Sequence, residues 1–311
     1  MTTKSKILIT GGAGSCGRFL ASRLLERGCD VRVIDKNIEP LRAINNDRLE
    51  VIQAGLADKD AVKRAVEGVD AILHLAWSFS EVPLEVFEQD LIGHLYLLDE
   101  AVAQKVRHLI YASTAVVYGK PKVSPIDEEH PLYVEEARKP LYGIAKAAAE
   151  KLCIMYSKEG KLPSTVIRFW WAYGDDIGGK HLRTMLKTAA AGEPLEVPQG
   201  AGGSFLHMDD MAEGFEKCIF NQAAFSQTFN LATCYVLWKD VAEMVRDVTG
   251  SSSEIRVIPG KEWKGAAFLN DPWELSDAKA RKLLGVRPKE NSAAAQSLKK
   301  AIAVCWAEMN K

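Results

Sequence analysis

The sequence is short of most features that would name a function outright. Its six cysteines, Cys16, Cys29, Cys153, Cys218, Cys234 and Cys305, show no CxxC pair and no cluster with histidine. That argues against zinc-finger, thioredoxin-like and disulfide-framework patterns, and reads as free thiols in a reducing compartment. The six histidines lack HExxH or HxxxH spacing, so no metal is expected. Charge of one sign is not in excess: Lys plus Arg is 40, Asp plus Glu is 41, and the net charge is −1. A dedicated nucleic-acid surface is therefore not expected. No apolar run approaches the roughly 18 residues of a membrane span. The opening Met1-Thr2-Thr3-Lys4-Ser5-Lys6 lacks the apolar core of a signal peptide. A cytoplasmic location is the expectation, with no membrane partner. Internal repeats and low-complexity tracts are also missing.

What is there is a long alternation. The chain of 311 residues is 47% hydrophobic, enough to build a sizeable core without metal or disulfide support. Ile7-Leu8-Ile9, Val31 to Ile34, Val51-Ile52, Ala71 to Leu75 and His108 to Ala112 read as strands. Between them lie helical patterns, including one from Asp58 to about Glu67 and a long one after Pro83 to about Gln104. Strands alternating with helices imply βαβ units, and apolar runs imply a sheet covered on both faces. The expected fold is α/β, a doubly wound parallel sheet of Rossmann type, with a smaller C-terminal lobe partly interleaved with it. The expected division is 1–175 for the dinucleotide domain, with a return near 205–235, and 176–311 for a mainly substrate-binding lobe. Helices are expected near 209–220, 239–249, 276–284 and 292–309. Gly178-Gly179 and Gly200 to Gly203 read as breaks.

Three local patterns carry chemistry. Thr10-Gly11-Gly12-Ala13-Gly14-Ser15-Cys16-Gly17 follows the first strand and opens a helix. Glycines there let backbone N–H groups and a helix N-terminus approach a pyrophosphate. Asp35 closes the second strand, where a carboxylate accepts from an adenosine ribose and repels a 2′-phosphate, which favours NAD over NADP. Lys36 beside it pulls the other way, and capping of the following turn is the alternative role for Asp35. Tyr142-Gly143-Ile144-Ala145-Lys146 places a phenol and an ammonium on one helix face. A nearby positive charge favours the phenolate, so Tyr142 is expected to titrate below the value of about 10 for free tyrosine. It could then exchange a proton with a substrate hydroxyl. Ser113 and Thr114, at the end of the fifth strand, offer hydroxyls to hold the reacting oxygen.

Together these pieces resemble the extended short-chain dehydrogenase/reductase family, in its NAD-dependent epimerase/dehydratase branch. TGxxGxxG matches Thr10 to Gly17, and the hydroxyl–tyrosine–lysine triad matches Thr114, Tyr142 and Lys146. Arg168-Phe169-Trp170-Trp171-Ala172-Tyr173-Gly174 and His207-Met208-Asp209-Asp210 resemble two further family segments. The resemblance implies NAD as cofactor, held by Gly11, Gly14, Ser15, Cys16, Gly17, Asp35, Leu56, Ala76, Ser113, Tyr142 and Lys146. It implies a small-molecule substrate met by Trp77, Ser78, Thr114, Trp170, Trp171 and His207. A homodimer through helices 86–104 and 141–157 is also implied.

Departures from the family pattern narrow the reaction. Ala115 and Val116 stand where dehydratases carry an Asp-Glu pair, which disfavours sugar dehydration. Trp171 replaces an asparagine common in nucleotide-sugar members, and Gly203 replaces an arginine that meets a diphosphate. A buried diphosphate needs paired cations or several N–H donors; Arg183, Lys180 or Lys264 would have to substitute. Ala54-Gly55-Leu56 lacks an adenine-contacting carboxylate unless Asp58 takes over, and Asp90 replaces an asparagine. Trp77, Phe79, Trp170 and Trp171 point to an aromatic-rich pocket. The reading is therefore NAD-dependent hydride transfer at a secondary alcohol carbon of a sugar, polyol or related small molecule. Alternatives are a nucleotide-sugar epimerase of the UDP-galactose 4-epimerase kind and a non-catalytic dinucleotide sensor.

Overall fold

The computed structural model describes residues 5–175, 177–289 and 291–311. Seven strands form a parallel sheet: β1 (Lys6–Thr10), β2 (Asp30–Asp35), β3 (Leu49–Gln53), β4 (Ala71–His74), β5 (His108–Ala112), β6 (Ser164–Arg168) and, late in the chain, β10 (Thr228–Asn230). Their spatial order is β10-β6-β5-β4-β1-β2-β3. Both neighbours of β1 are parallel to it, with Ile9 beside Val33 and Leu73. The strand order reverses at β1, and a crevice opens there beyond the carboxyl ends, which is where open α/β sheets take ligands.

Apolar strand residues make two cores, one per face. Ile7, Ile9, Val31 and Val33 pack with Leu20 and Leu24 of α1 (Ser15–Glu26). Leu8, Ile34 and Ile72 pack on the opposite face with α2 (Lys59–Val66) and, beyond it, Leu97 and Leu98. Burial of such side chains contributes about 1.5–3 kcal/mol each. The helix expected after Pro83 forms, but in three parts: α3 (Pro83–Glu85), a π-helical stretch Val86–Ile92, and α4 (Gly93–Ala103). The wider turn changes the helical phase, and Asp90 within it is buried. α5 (Pro140–Lys158) then covers β6.

After β6 comes β7 (Trp171–Tyr173), then α6 (Lys180–Ala190), β8 (Leu195–Pro198), β9 (Gly202–His207) and α7 (Met208–Cys218). β11 (Cys234–Leu237), α8 (Trp238–Thr249), β12 (Ile255–Ile258), β13 (Pro272–Trp273), α9 (Ala278–Leu284) and α10 (Asn291–Met309) complete the chain. β9 pairs with β7, β11 and β13 in a second sheet, and β8 pairs with β12. Gly202 and Gly203 thus lie inside a strand, which corrects their reading as a break. A Cβ on Gly203 would lie 2.1 Å from the Trp170 ring, and one on Gly202 2.4 Å from the Val236 carbonyl. Close neighbours fill the room that side chains would otherwise take.

Candidate active site

The glycine loop is built by close approach. A Cβ on Gly11, which has φ +69°, would sit 2.7 Å from the Ala76 backbone; one on Gly17 would lie 2.4 Å from the Gly11 carbonyl. Ser15 and Cys16 begin α1, directly after Gly14. The Thr10 hydroxyl joins the ends of β1 and β4, accepting from Ala76 N at 3.1 Å and meeting His74 Nδ1 at 2.7 Å.

Two adjoining hollows surround this loop. One, of about 120 Å³, is lined by Asp35, Lys36, Gly55, Leu56, Gln89 and Asp90, among others. The other, of about 310 Å³, is lined by Gly14, Asp35, Asn37, Ala76, Trp77 and Phe79, among others. Asp35 borders both. Its carboxylate accepts from Ala13 N and Asn37 N, each at 3.0 Å, so it also caps the next turn. Lys36 donates from Nζ to Gln89 Oε1 at 2.7 Å, its stem over Gly55, and stays on the wall of the smaller hollow. Asp58 caps α2, accepting from Ala61 N at 2.9 Å, and is not among the residues that border either hollow. A strand-end glycine loop, an acid at its rim and a two-part groove fit a dinucleotide.

Along α5, Tyr142, Lys146 and Glu150 recur every four residues. Lys146 is buried, donates from Nζ to the Ala112 carbonyl at 2.9 Å, and stands 4.1 Å from the Trp77 ring centre. Burial pulls its ammonium down to about 7, against the opposing carboxylates of Asp90 and Glu150. Tyr142 is pushed up to about 12, by burial first, with the Thr114 hydroxyl partly offsetting it. This reverses the expectation of a depressed phenol. Spacing alone shows the shared face but not the loss of water around both groups, and desolvation is the largest cause of both shifts.

Thr114 starts the turn Ala115–Tyr118, its hydroxyl accepting from Val116 N at 3.2 Å. Ser113 is buried, with no partner for its hydroxyl among the described residues. Ser78 is tied to Asp90, through N at 2.7 Å and Oγ at 2.6 Å. Phe79 follows with φ +55°, 68% exposed, its ring stacked on Tyr142 at 5.7 Å. A bulky residue in that conformation is strained. Phe79 borders both the cofactor groove and a cleft of about 520 Å³ beside Tyr142.

That cleft is lined by Glu81, Thr114, Arg138, Leu141, Tyr142 and Trp170, among others. Of the expected substrate residues, Thr114 and Trp170 meet there. Trp77 lies edge-on to Tyr142 at 6.0 Å, and Ser78 holds the loop. Trp171 does not join them: it packs with Phe205 and Trp238, and a Cβ on Gly179 would lie 2.4 Å from its ring. Trp170, just before β7, packs against the same Phe205 and Trp238 and against Trp171 itself, but it also borders the cleft. His207 caps α7 by accepting from Asp209 N at 3.1 Å, Lys289 Nζ lies 3.0 Å from its Nδ1, and it is not among the residues that border this cleft. Lys180, Arg183 and Lys264 are not among the residues that border it.

Sequence reasoning missed Glu150, Arg138 and the position of Phe79. Glu150 holds Arg168 by two bonds, 2.9 Å at Nε and 2.7 Å at Nη2. Arg168 Nη1 donates to the Tyr118 hydroxyl at 3.0 Å, which donates in turn to Asn230 Oδ1 at 2.7 Å. The continued four-residue spacing after Lys146 is the available signal for Glu150.

A glycine loop at the switch of a parallel sheet, beside half-buried Tyr142, buried Lys146 and a strand-end threonine, defines a dinucleotide-dependent oxidoreductase of the short-chain type. The model of the NAD dependent epimerase/dehydratase family matches residues 7–232, and the chain belongs to that family. It is an enzyme of the short-chain dehydrogenase/reductase type, with NAD as its cofactor. A UDP-glucose 4-epimerase of Corynebacterium glutamicum is 29% identical over 317 aligned positions, covering 91% of each chain. The UDP-Glc/GlcNAc 4-epimerase of Campylobacter jejuni has a similar structure, at TM-score 0.80 and 21% identity over 98% of this chain and 99% of that one. The UDP-glucose 4-epimerase of Thermus thermophilus, solved with NAD, aligns at TM-score 0.75 and 24% identity over 97% and 98%. Among the described residues no helix is long and apolar enough to cross a membrane.

Proposed function

We propose that this enzyme transfers hydride at a secondary alcohol carbon of a sugar, polyol or related small molecule, without a nucleotide handle on the substrate. The observation that carries this is Trp170 seated over Gly203, which fills the end of the cleft with an indole where the family resemblance puts a cation in nucleotide-sugar members. Tyr142 gives or takes the carbinol proton, Thr114 holds the reacting oxygen, and Lys146 supplies positive charge beneath them. NAD, when bound along Gly11 to Gly17 and Asp35, supplies the hydride acceptor and a positive ring that favours the phenolate. Residues 1–175 carry these groups, and residues 176–311 back the cleft wall through Gly203. A second reading, a nucleotide-sugar epimerase, is favoured by the names of the relatives.

Ligand-dependent melting separates the two, because a ligand that binds only the folded state raises its stability. NAD is expected to raise the melting temperature well beyond NADP, and UDP, dTDP or GDP to add nothing further. A second rise with one nucleoside diphosphate would favour the epimerase reading.

We further infer a homodimer in the cytoplasm. Val82, Leu84, Phe87 and Ile92 are exposed before α4, and Ile144 and Met155 are exposed on adjoining α5. Such an apolar surface suits a subunit contact. Cys16, Cys29, Cys153, Cys218 and Cys234 form no disulfide among the described residues, which suits a reducing compartment. Sedimentation equilibrium is expected to return twice the chain mass of 34.3 kDa; a monomer would remove the dimer.

A further inference from the structure

The cleft beside Tyr142 holds three charged side chains, Glu81, Arg138 and Lys139. Lys139 Nζ lies 2.6 Å from Glu81 Oε1, so two of the three neutralise each other. Arg138 is left with an open charge: among the described residues it has no carboxylate partner and its N–H groups meet no protein acceptor. Its guanidinium is instead held 4.2 Å from the centre of the Phe268 ring. Such a contact fixes the direction of the head group without cancelling its charge. The field of Arg138 reaches inward to His181, which is pulled down to about 4 by burial first and by this guanidinium second.

The rest of the lining gives Arg138 its meaning. Val116, Pro140, Leu141 and Trp170 make the cleft largely apolar, and Trp170 closes it against Gly203. A planar fork of unused donors at the edge of an apolar cleft matches the two oxygens of a carboxylate. A diphosphate carries more charge than one guanidinium can balance. Arg138 and Tyr142 border the same cavity, so a single ligand can meet both.

We propose that the substrate is a secondary alcohol carrying one anionic group, a carboxylate, and that Arg138 binds this group and sets specificity. This rests on the reading of Tyr142 as acid/base at the carbinol. Neutral sugars then lack an anchor, and nucleotide sugars bring too much charge and bulk.

The test uses the NAD-loaded enzyme with Arg138→Met and Arg138→Lys. Free uronates and aldonates, the matching neutral sugars and alditols, and hexose 6-phosphates are compared by calorimetry and by NADH absorbance. At least one acid is expected to bind about tenfold or more tightly than its neutral counterpart, the scale of a charged hydrogen bond. Arg138→Met is expected to erase that preference through KM, with kcat nearly kept, and Arg138→Lys to restore part of it. Unchanged NAD affinity shows that the variants fold. Hexose 6-phosphates that bind with the same dependence on Arg138 would keep the anion site and replace carboxylate by phosphate. Acids that bind no better than neutral partners, or a preference that survives in Arg138→Met, would overturn the proposal. Binding of acids through Arg138 with no net NADH from any of them would instead remove net oxidation of the carbinol and leave the subsite standing.

Discussion

Replacing Tyr142 by phenylalanine is expected to lower turnover by about two to four orders of magnitude, the usual contribution of a positioned acid or base. NAD affinity is expected to stay within about twofold. The ring that stacks on Phe79 and meets Trp77 edge-on remains in this variant, so the wall between groove and cleft keeps its shape. Only the hydroxyl that meets Thr114 is lost. Single-turnover absorbance of the nicotinamide reads the chemistry, and calorimetry reads the cofactor. Normal turnover in Tyr142→Phe would take this residue out of the mechanism, and a parallel loss of NAD binding would make its role structural.

The second large effect concerns a residue that touches no ligand. Arg168 and Glu150 are 5% and 2% exposed, and their bidentate pair joins β6 to the helix that carries Tyr142 and Lys146. Removing one partner leaves the other charge buried without compensation, which costs roughly 3–5 kcal/mol. Tyr118 and Asn230 extend the network to the turn after Thr114 and to β10. Glu150→Ala is therefore expected to lower the melting temperature by on the order of 10 °C. Denaturant unfolding at neutral pH checks this, and Glu150→Gln, which keeps the shape and part of the hydrogen bonding, is expected to lose less. A Glu150→Ala protein that melts with the wild type would mean that Arg168 finds another partner at no cost.

The parts legible in the sequence are those whose signal is local. Val31, Val33 and Ile34 announce a covered strand, Gly11 to Gly17 announce a tight strand-to-helix turn, and Tyr142 and Lys146 announce a shared helix face. What escapes depends on partners distant along the chain. Gly202 and Gly203 look like a turn until Trp170 and Val236 are brought against them. The open charge of Arg138 emerges only when Glu81 has been paired with Lys139. His207 keeps its place in the resemblance but is used as a helix cap. The upward shift of Tyr142 is not legible either, because residue spacing carries no account of burial.

The fit of Trp170 over Gly203 also constrains the order in which these two positions can change. With the indole in place, any side chain at position 203 begins with an atom 2.1 Å from Trp170 Cζ3, far inside contact distance. Glycine there is therefore locked in until position 170 shrinks first. From this pair a charged residue at 203 is out of reach of one substitution, in a lineage or in a mutant library. Variation at 203 alone would yield misfolded or rearranged proteins, whereas variation at both positions together reopens the lost choices. Divergence in substrate use would then be a ratchet, easier to enter than to leave.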